Sequence, residues 1–549
     1  MEALRPLLIL GLDGATFDVI RPLAAAGRLP NLEGWLKAGA ARALASTVPP
    51  MSFPAWSSFA TGLGPGEHGL FDFTQKVPGA YRLRFVNASD RSGRSLFARV
   101  SDAGGTVLAL GMPATWPPER VNGLLVPGFD APISVGSDAA ASSDPALYRA
   151  IAAQAGPWMT PDLAEAADAD AWHEAAAALL PARVERKTRF ALEAIRSLRA
   201  ASGGRGPDLA CIVFAESDTA AHHFWRDFDA ASPRHDPRAS AARRDAIPAV
   251  YQALDAACGA LRAAFGEDAL CVVMSDHGAG GASHRIVHLN RRLEECGLLR
   301  RSAPTRAAAV DAWARGARDA ALRVLPPRLA QALFRRARGT AARLESAARF
   351  GGFDWARTQA FSEEANTQPG VWLNLAGREA RGSIAPADRE RVLRDVMDAV
   401  LDWKLPGGGP VVARARPREE AYIGPFLERA PDVVVELGLD AGYGLSLVPT
   451  PWREASRESV RTLPQEALAG GRGRGMNGVH RPDGVLLAVG QSADDLSDVV
   501  RLGHLAPACL RAMGIPWTDE AASPRTPAPY TPEEEAEVAA RLRGLGYLD

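Results

Sequence analysis

Leu270-Cys271-Val272-Val273-Met274-Ser275-Asp276-His277-Gly278 is the stretch that decides the fold. A short apolar run stops abruptly at an acid, an imidazole and a glycine. The pattern recurs along the chain. Leu7-Leu8-Ile9-Leu10-Gly11-Leu12 ends in Asp13-Gly14, and Leu209-Ala210-Cys211-Ile212-Val213-Phe214 leads into Glu216-Ser217-Asp218, with His222 four residues on. Near the end, Gly478-Val479-His480-Arg481-Pro482-Asp483-Gly484 precedes a fourth run, Val485 to Val489. Short apolar runs bounded by Gly and Asp read as strands buried on both faces of a parallel sheet. Ligands of such sheets bind beyond the carboxyl ends of the strands. Three acid-bearing strand ends and one histidine loop therefore converge on one edge, which is the layout of a metal site.

The ligand arithmetic points to two metals. Asp13, Asp276 and His277 make one set, with an oxygen nucleophile as fourth ligand; Asp218, His222 and His480 make the other, leaving a position for water or substrate. Three mixed carboxylate and imidazole ligands plus an open position suit catalytic zinc. Manganese or iron tolerates the same ligands. An isolated Asp-His pair is more often a satisfied buried polar group than a ligand, but four such clusters at strand ends are hard to read as structural.

A nucleophile is available between the first two clusters, in Thr47-Val48-Pro49-Pro50-Met51-Ser52-Phe53-Pro54-Ala55-Trp56. The chain from Trp56 onward reads as a helix, Pro54 suits its first turn, and Ser52 falls at or just before its start. There the free N–H groups and the helix dipole favour an alkoxide or a phosphate. On this argument alone, a plain N-cap is the better reading of Ser52.

Taken together, GLDGATFDVI (11–20), PPMSFPAWSSFATGLGPGEHGLFDF (49–73), ESDTAAHHFW (216–225), VVMSDHGAGG (272–281) and NGVHRPDGVLLAVG (477–490) resemble the type I phosphodiesterase/nucleotide pyrophosphatase branch of the alkaline phosphatase superfamily. GMPATWPPERVNGLLVPGF (111–129) and the terminal RLRGLGYLD (541–549) add to the likeness, and Arg300 to about Trp355 is the least typical stretch. The resemblance implies an α/β fold, a sandwich of a central, mostly parallel sheet with helices on both faces plus a helical and mixed cap insertion. It implies Ser52 as a nucleophile bridging two divalent ions, Asp13, Asp276 and His277 on one and Asp218, His222 and His480 on the other. It also implies hydrolysis of phosphodiesters, nucleotide pyrophosphates or phosphomonoesters through a phosphoseryl intermediate. Phosphonate hydrolysis, phosphotransfer, and binding without chemistry are the alternatives. Characterised nucleotide pyrophosphatases carry an Asn shortly after the His-Gly that follows the nucleophile helix. Here the stretch reads His68-Gly69-Leu70-Phe71-Asp72-Phe73, so the nucleotide preference does not carry over. Ser52-Phe53-Pro54-Ala55-Trp56 lacks the Arg of a sulfatase signature, which excludes that relative.

Composition agrees with a sizeable enzyme: 549 residues, 47% hydrophobic, are enough for a large core. A net charge of -1 gives no electrostatic case for a nucleic-acid duplex or a membrane surface, and the resemblance implies a small phosphorylated substrate as partner. The five cysteines (Cys211, Cys258, Cys271, Cys296 and Cys509) show no metal-binding or disulfide spacing, and Met1 to Pro6 run directly into the first strand without a removable signal. No run reaches the ~20 apolar residues of a membrane span. The expectation is a cytoplasmic protein.

The expected organisation is a catalytic core over 1–299, an insertion over 300–450, a second part of the core over 451–520 and a tail helix within 521–549. Ala246 to Phe265 reads as a helix whose Ile247, Val250, Tyr251, Leu254 and Leu261 share one face. Asp229 to Arg244 reads as a loop, Ala387 to Trp403 and Thr531 to Leu545 as helices, and Arg300 to Arg349 as an Arg-rich helical hairpin with a solvated face. His223 points about 100° away from its neighbour on a helix and is discounted as a ligand, while Asp218 and His222 share a face. His284 and His288 read as polar surface, His68 as serving a turn, and Lys76 and Arg378 as cations that nothing in the sequence positions.

Overall fold

The computed structural model describes residues 4–132, 139–158, 169–302, 349–350, 352–365, 369–452, 458–470, 474–518 and 528–545. The expected hairpin at 300–349 lies almost wholly outside these residues.

Each apolar run forms a strand, and they join one seven-stranded sheet in the order Ala40–Ala45, Asp483–Val489, Leu270–Met274, Leu7–Leu12, Leu209–Phe214, Val107–Met112, Gly123–Pro127. The last five of these are parallel. Asp483–Val489 runs antiparallel to both of its neighbours. Alternation along the strands explains why the runs are apolar throughout. Leu8, Leu10 and Leu12 face one core with Ala210, Ile212, Phe214, Cys271 and Val273. Leu7 and Ile9 face the opposite core with Leu209, Cys211, Val213, Val272 and Met274. Each fully buried aliphatic side chain contributes about 1.5–3 kcal/mol of transfer free energy, so both faces need a cover. Helices Phe17–Ala25, Pro30–Ala38, Ala169–Ala201, Glu216–Phe228 and Ala246–Phe265 cover the first face. Helices Ser52–Thr61, Leu96–Asp102 and Leu505–Met513 cover the second. The fold is the expected α/β sandwich.

The Ala246–Phe265 helix has the expected bounds, and its five stripe residues are all buried. The tail helix is Pro532–Leu545, one residue shorter than expected. The nucleophile helix is Ser52–Thr61, so Ser52 stands at its start and Pro54 in its first turn, as expected. Two readings need correction. Ser52 is not the N-cap: Met51 takes that position, with no side-chain cap. The stretch read as a loop contains a short helix, Ala241–Arg244, capped by the Ser240 hydroxyl accepting from the Arg243 N–H.

Beyond His277 the chain continues as a long strand, Gly278–Val287, outside the main sheet. Gly478–Arg481 pairs antiparallel to its first half, with His480 opposite Ala279. A separate antiparallel sheet of Ala360–Phe361, Gly370–Leu373, Val433–Leu437 and Val412–Pro417 packs on helix Arg389–Leu401 through Val392, Val396 and Val400. Among the described residues, no helix is long and apolar enough to cross a membrane.

Candidate active site and metal centre

Asp13 leaves the sheet where its strand ends, and Gly14 then turns back with a φ of +64°; a Cβ there would sit 2.7 Å from Asp218 Oδ1. Only glycine allows the first and second acid loops to approach so closely. Asp218 lies in the first turn of the Glu216–Phe228 helix, where the dipole favours a carboxylate. His222 follows one turn later, its Nε2 3.3 Å from Asp218 Oδ2. Strand pairing of Gly478–Arg481 with Gly278–Val287 stacks the rings of His480 and His277 at 3.7 Å. Ser52, the first residue of its helix, places Oγ 3.4 Å from Asp13 Oδ1, to which it donates, and 3.4 Å from His277 Nε2. All seven residues named from the sequence lie together, and all but the partly exposed His480 are buried.

The three histidines are held in one way. Nδ1–H of His222 donates to Gly478 O (2.9 Å), that of His277 to Gly278 O (3.0 Å) and that of His480 to Pro50 O (2.8 Å). A carbonyl only accepts, so in the neutral rings each Nε2 carries a lone pair. Those lone pairs point inward. His222 Nε2 and His480 Nε2 are 3.0 Å apart, His480 Nε2 is 3.6 Å from Asp218 Oδ1, and His277 Nε2 is 3.7 Å from Asp13 Oδ1. Asp276 Oδ2 is buried without a hydrogen bond, 3.4 Å from His277 Nε2. Facing acceptors at such distances repel unless a cation lies among them. The donor set therefore fits divalent metal, and two groups have ligand atoms mutually within 4.8 Å: Asp218, His222 and His480, and Asp13, Asp218 and His277. Asp218 stands between the two.

Electrostatics tell the same story. Burial, then the negative charges of Asp276 and Asp218, push the Asp13 carboxyl well above the usual range, against the Trp56 hydrogen bond. Burial also raises Asp276. Burial opposes ionisation of Asp218 too, but His222, His480 and His277 around it hold its carboxyl far below the ordinary value. His222 is raised because Asp218 outweighs its burial, whereas burial and the neighbouring imidazoles hold His480 well below its usual value.

Several site groups are not singled out by the sequence reading. Trp56 Nε1–H donates to Asp13 Oδ2 at 3.0 Å, and Ser217 Oγ donates to the Asp13 carbonyl at 2.6 Å. Trp56 lies one turn beyond Ser52, an i, i+4 relation that would have suggested it. Asn477 joins the two histidine elements, donating through its N–H to His222 O (2.8 Å) and through Nδ2 to His223 O (3.1 Å). Pro50, Gly278 and Gly478 supply the carbonyls that hold the three rings, and a Cβ at Gly278 or Gly478 would sit 2.2 Å from Asp483 O or 2.3 Å from Ala221 O.

Other sequence candidates fall elsewhere. The His223 ring packs 4.5 Å from Trp172, away from the acids. His68 is buried, with Nδ1 accepting from Leu70 N–H and Nε2 meeting Ser58 Oγ at 3.0 Å; burial depresses it to about 3, so it stays neutral and ties the turn to the nucleophile helix. His288 is not polar surface: it is buried and donates to Val448 O, while His284 is half-buried on the long strand. Lys76 pairs with Glu379 at 2.8 Å and Arg378 forks onto Asp432, so both serve a buried ion network. In the stretch after His68-Gly69, Phe73 packs its ring 4.4 Å from that of Phe53.

Comparison with known proteins adds the family. Phosphonoacetate hydrolase from Sinorhizobium meliloti 1021, in complex with phosphonoformate, superposes with a TM-score of 0.51 at 14% identity, covering 93% of this chain and 96% of that one. Its complex with phosphonoacetate gives 0.50 at the same identity and coverage. Murine ectonucleotide pyrophosphatase/phosphodiesterase 5, an inactive form in complex with AMP, gives 0.45 at 11% identity over 95% and 97%. The first of these likenesses speaks to the fold alone. No curated protein matches the sequence. The family model for type I phosphodiesterase/nucleotide pyrophosphatase matches residues 7–443. The chain belongs to that family, and is a hydrolase of phosphate-ester-type bonds.

Proposed function

We propose that the chain hydrolyses a small phosphate ester at a two-metal site, with Ser52 as nucleophile and a phosphoseryl intermediate. One observation carries this reading: Ser52 Oγ lies 3.4 Å from both Asp13 Oδ1 and His277 Nε2, inside a buried cluster of inward-facing carboxylate and imidazole acceptors. Asp13, Asp276, His277 and Ser52 would hold one ion, and Asp218, His222 and His480 the other, with zinc favoured by the mixed ligands. When bound, the ions lower the pKa of the serine hydroxyl and screen the charge on the phosphoryl oxygens.

The chain's own groups do the rest. Asp13 Oδ1 accepts the Ser52 hydrogen bond and orients Oγ, and the helix that begins at Ser52 offers its positive end to the phosphoryl group. Oγ attacks phosphorus as the bond to the leaving alcohol breaks, and that oxygen takes up a proton. Water then attacks phosphorus, the P–Oγ bond breaks and Ser52 regains its proton. Positioning and fixed charge supply most of the acceleration. Residues 1–299 and 451–520 would form the core and 300–450 a cap over substrate. Five free cysteines, four of them buried, support a reducing cytoplasm.

The test joins metal content to a panel of p-nitrophenyl phosphate, bis-p-nitrophenyl phosphate, a p-nitrophenyl phosphonate, p-nitrophenyl sulfate and phosphonoacetate. Close to two transition-metal ions per chain and chelator-sensitive hydrolysis of one phosphorus ester are expected. Ser52→Ala should keep metal and lose roughly a thousandfold in turnover, about 4 kcal/mol of barrier. Near-normal turnover in a slightly less stable Ser52→Ala protein would return Ser52 to a structural role.

A further inference from the structure

Two facts about the start of the nucleophile helix give apolar packing a share in holding it, beside the polar contacts of Ser52, Trp56 and Ser58. Met51, at the N-cap, has an extended backbone (φ −147°, ψ 142°) and no side-chain oxygen to cap the helix. Pro54, two residues after Ser52, has no N–H to offer an anchoring partner. The side chains of Met51 and Phe53, on either side of Ser52, are instead completely buried in one apolar cluster with Leu70, Phe73, Phe85, Val86, Ala114 and Phe129. The C-terminal segment closes that cluster with Tyr530, Val538, Ala539 and Leu542. All four lie beyond residue 443, where the match to the family ends.

The segment is tied down along its length. Ala528 donates its N–H to Ser89 Oγ (2.8 Å) and its carbonyl accepts from Asn87 Nδ2 (2.9 Å). Tyr530 OH donates to Asp130 O (3.0 Å). Thr531 and Glu534 cap the helix reciprocally, N–H to carboxylate at 2.7 Å and N–H to hydroxyl at 3.3 Å. Arg541, itself buried, donates through Nη1 to Ala131 O (2.6 Å) and Phe129 O (3.3 Å). Phe129 carries this tie straight into the cluster, its ring 6.1 Å from Phe73, which in turn packs on Phe53.

We propose that the C-terminal helix Pro532–Leu545 is a positioning clamp for Ser52: it fixes the Met51 and Phe53 side chains, and through them the register of the nucleophile against Asp13 and His277, without touching the metal ligands. The inference rests on Ser52 being the nucleophile. Leu542 and Arg541 are its positioning residues, the first by packing and the second by holding the Phe129–Ala131 carbonyls.

The experiment uses the full-length, metal-loaded chain with Leu542→Ala, Leu542→Met and Arg541→Ala. Hydrogen exchange is followed in peptides covering 49–62 and 270–290, beside kcat, KM and metal content on whichever p-nitrophenyl ester the wild type accepts. Leu542→Ala and Arg541→Ala should each speed exchange in 49–62 tenfold or more, leave 270–290 unchanged, keep full metal and lower kcat at least tenfold with little change in KM. Leu542→Met should restore most of both signals. Unchanged exchange in 49–62, with kcat within twofold of wild type, overturns the clamp, as does a uniform rise in exchange across both peptides. Because exchange needs no substrate, an inert wild type would count against the proposed function while leaving the clamp to be decided by the peptides.

Discussion

Replacing Trp56 by Phe probes the least expected support of the site. The indole N–H is a buried donor to Asp13, 3.0 Å from Oδ2, and it opposes the burial and like charges that drive Asp13 towards protonation. Phenylalanine keeps an aromatic ring but cannot donate, so a carboxylate oxygen loses a charge-assisted hydrogen bond worth about 1.5–3 kcal/mol. Groups that orient metal ligands typically alter affinity 10–100-fold when removed. At about 1.4 kcal/mol per decade that range agrees with the hydrogen-bond figure. The smaller ring also leaves space in a fully buried position, costing a further 1–3 kcal/mol or so in folding whether or not metal is bound. Phe59→Leu is the control, because Phe59 packs edge-on against Trp56 at 5.9 Å in the same core and has no side-chain donor for Asp13. The assay is competition for Zn2+ against a chelator of known affinity, with Tm measured for metal-free and loaded protein. Trp56→Phe should weaken zinc binding 10–100-fold and shrink the metal-induced rise in stability accordingly, while Phe59→Leu lowers Tm and leaves affinity alone. Equal zinc affinity in wild type and Trp56→Phe, with a Tm loss matching the control, would refute the reasoning.

Two further outcomes follow from the geometry. His222→Ala should cost activity and metal severely and His223→Ala little, since the first ring faces Asp218 and the second packs on Trp172; the reverse order in metal content and turnover would show that the helix is misread. Asp130 is fully buried, and burial raises its carboxyl to about 7, so between its unfolded pKa near 4 and that value the folded chain holds a proton that the unfolded chain has lost. Stability therefore falls as pH rises through this window and is lowest above it. Asp130→Asn keeps an oxygen for the Ala114 N–H and removes the ionisation. Its Tm should exceed that of wild type at pH 8, by a few kcal/mol of stability, and the gap should close near pH 4; a gap independent of pH would contradict this.

What could be read from residues alone follows the physics of each signal. Buried strands announce themselves because both faces must be apolar, as in Leu7–Leu12, and the acids that end them stand out against such runs. The Ala246–Phe265 helix was legible because one stripe of it is buried along its whole length. That Met51 rather than Ser52 is the N-cap was not, since Met51 holds the helix end by packing rather than by a polar cap. Nor were the anchors of the three histidines, which are backbone carbonyls that any residue supplies. Lys76 and Arg378 looked free because the acids Lys76 Nζ and the Arg378 fork bind lie in distant stretches, Glu379 more than 300 positions from Lys76 and Asp432 more than 50 from Arg378, although Arg378 Nε also meets the adjacent Glu379. His288 reads as polar surface from the sequence, whereas it follows the Gly278–Val287 strand as the N-cap residue of helix Leu289–Glu295 and is buried there.

The most direct measurement is to quench the metal-loaded wild type in acid during steady turnover of its best phosphate ester and map its peptides by mass spectrometry. A phosphoryl adduct on the peptide containing Ser52, located on that residue and missing when Ser52→Ala is treated alike, is the predicted result. Undiminished hydrolysis with Ser52 unmodified at every quench time, or an adduct on another residue, would contradict the account.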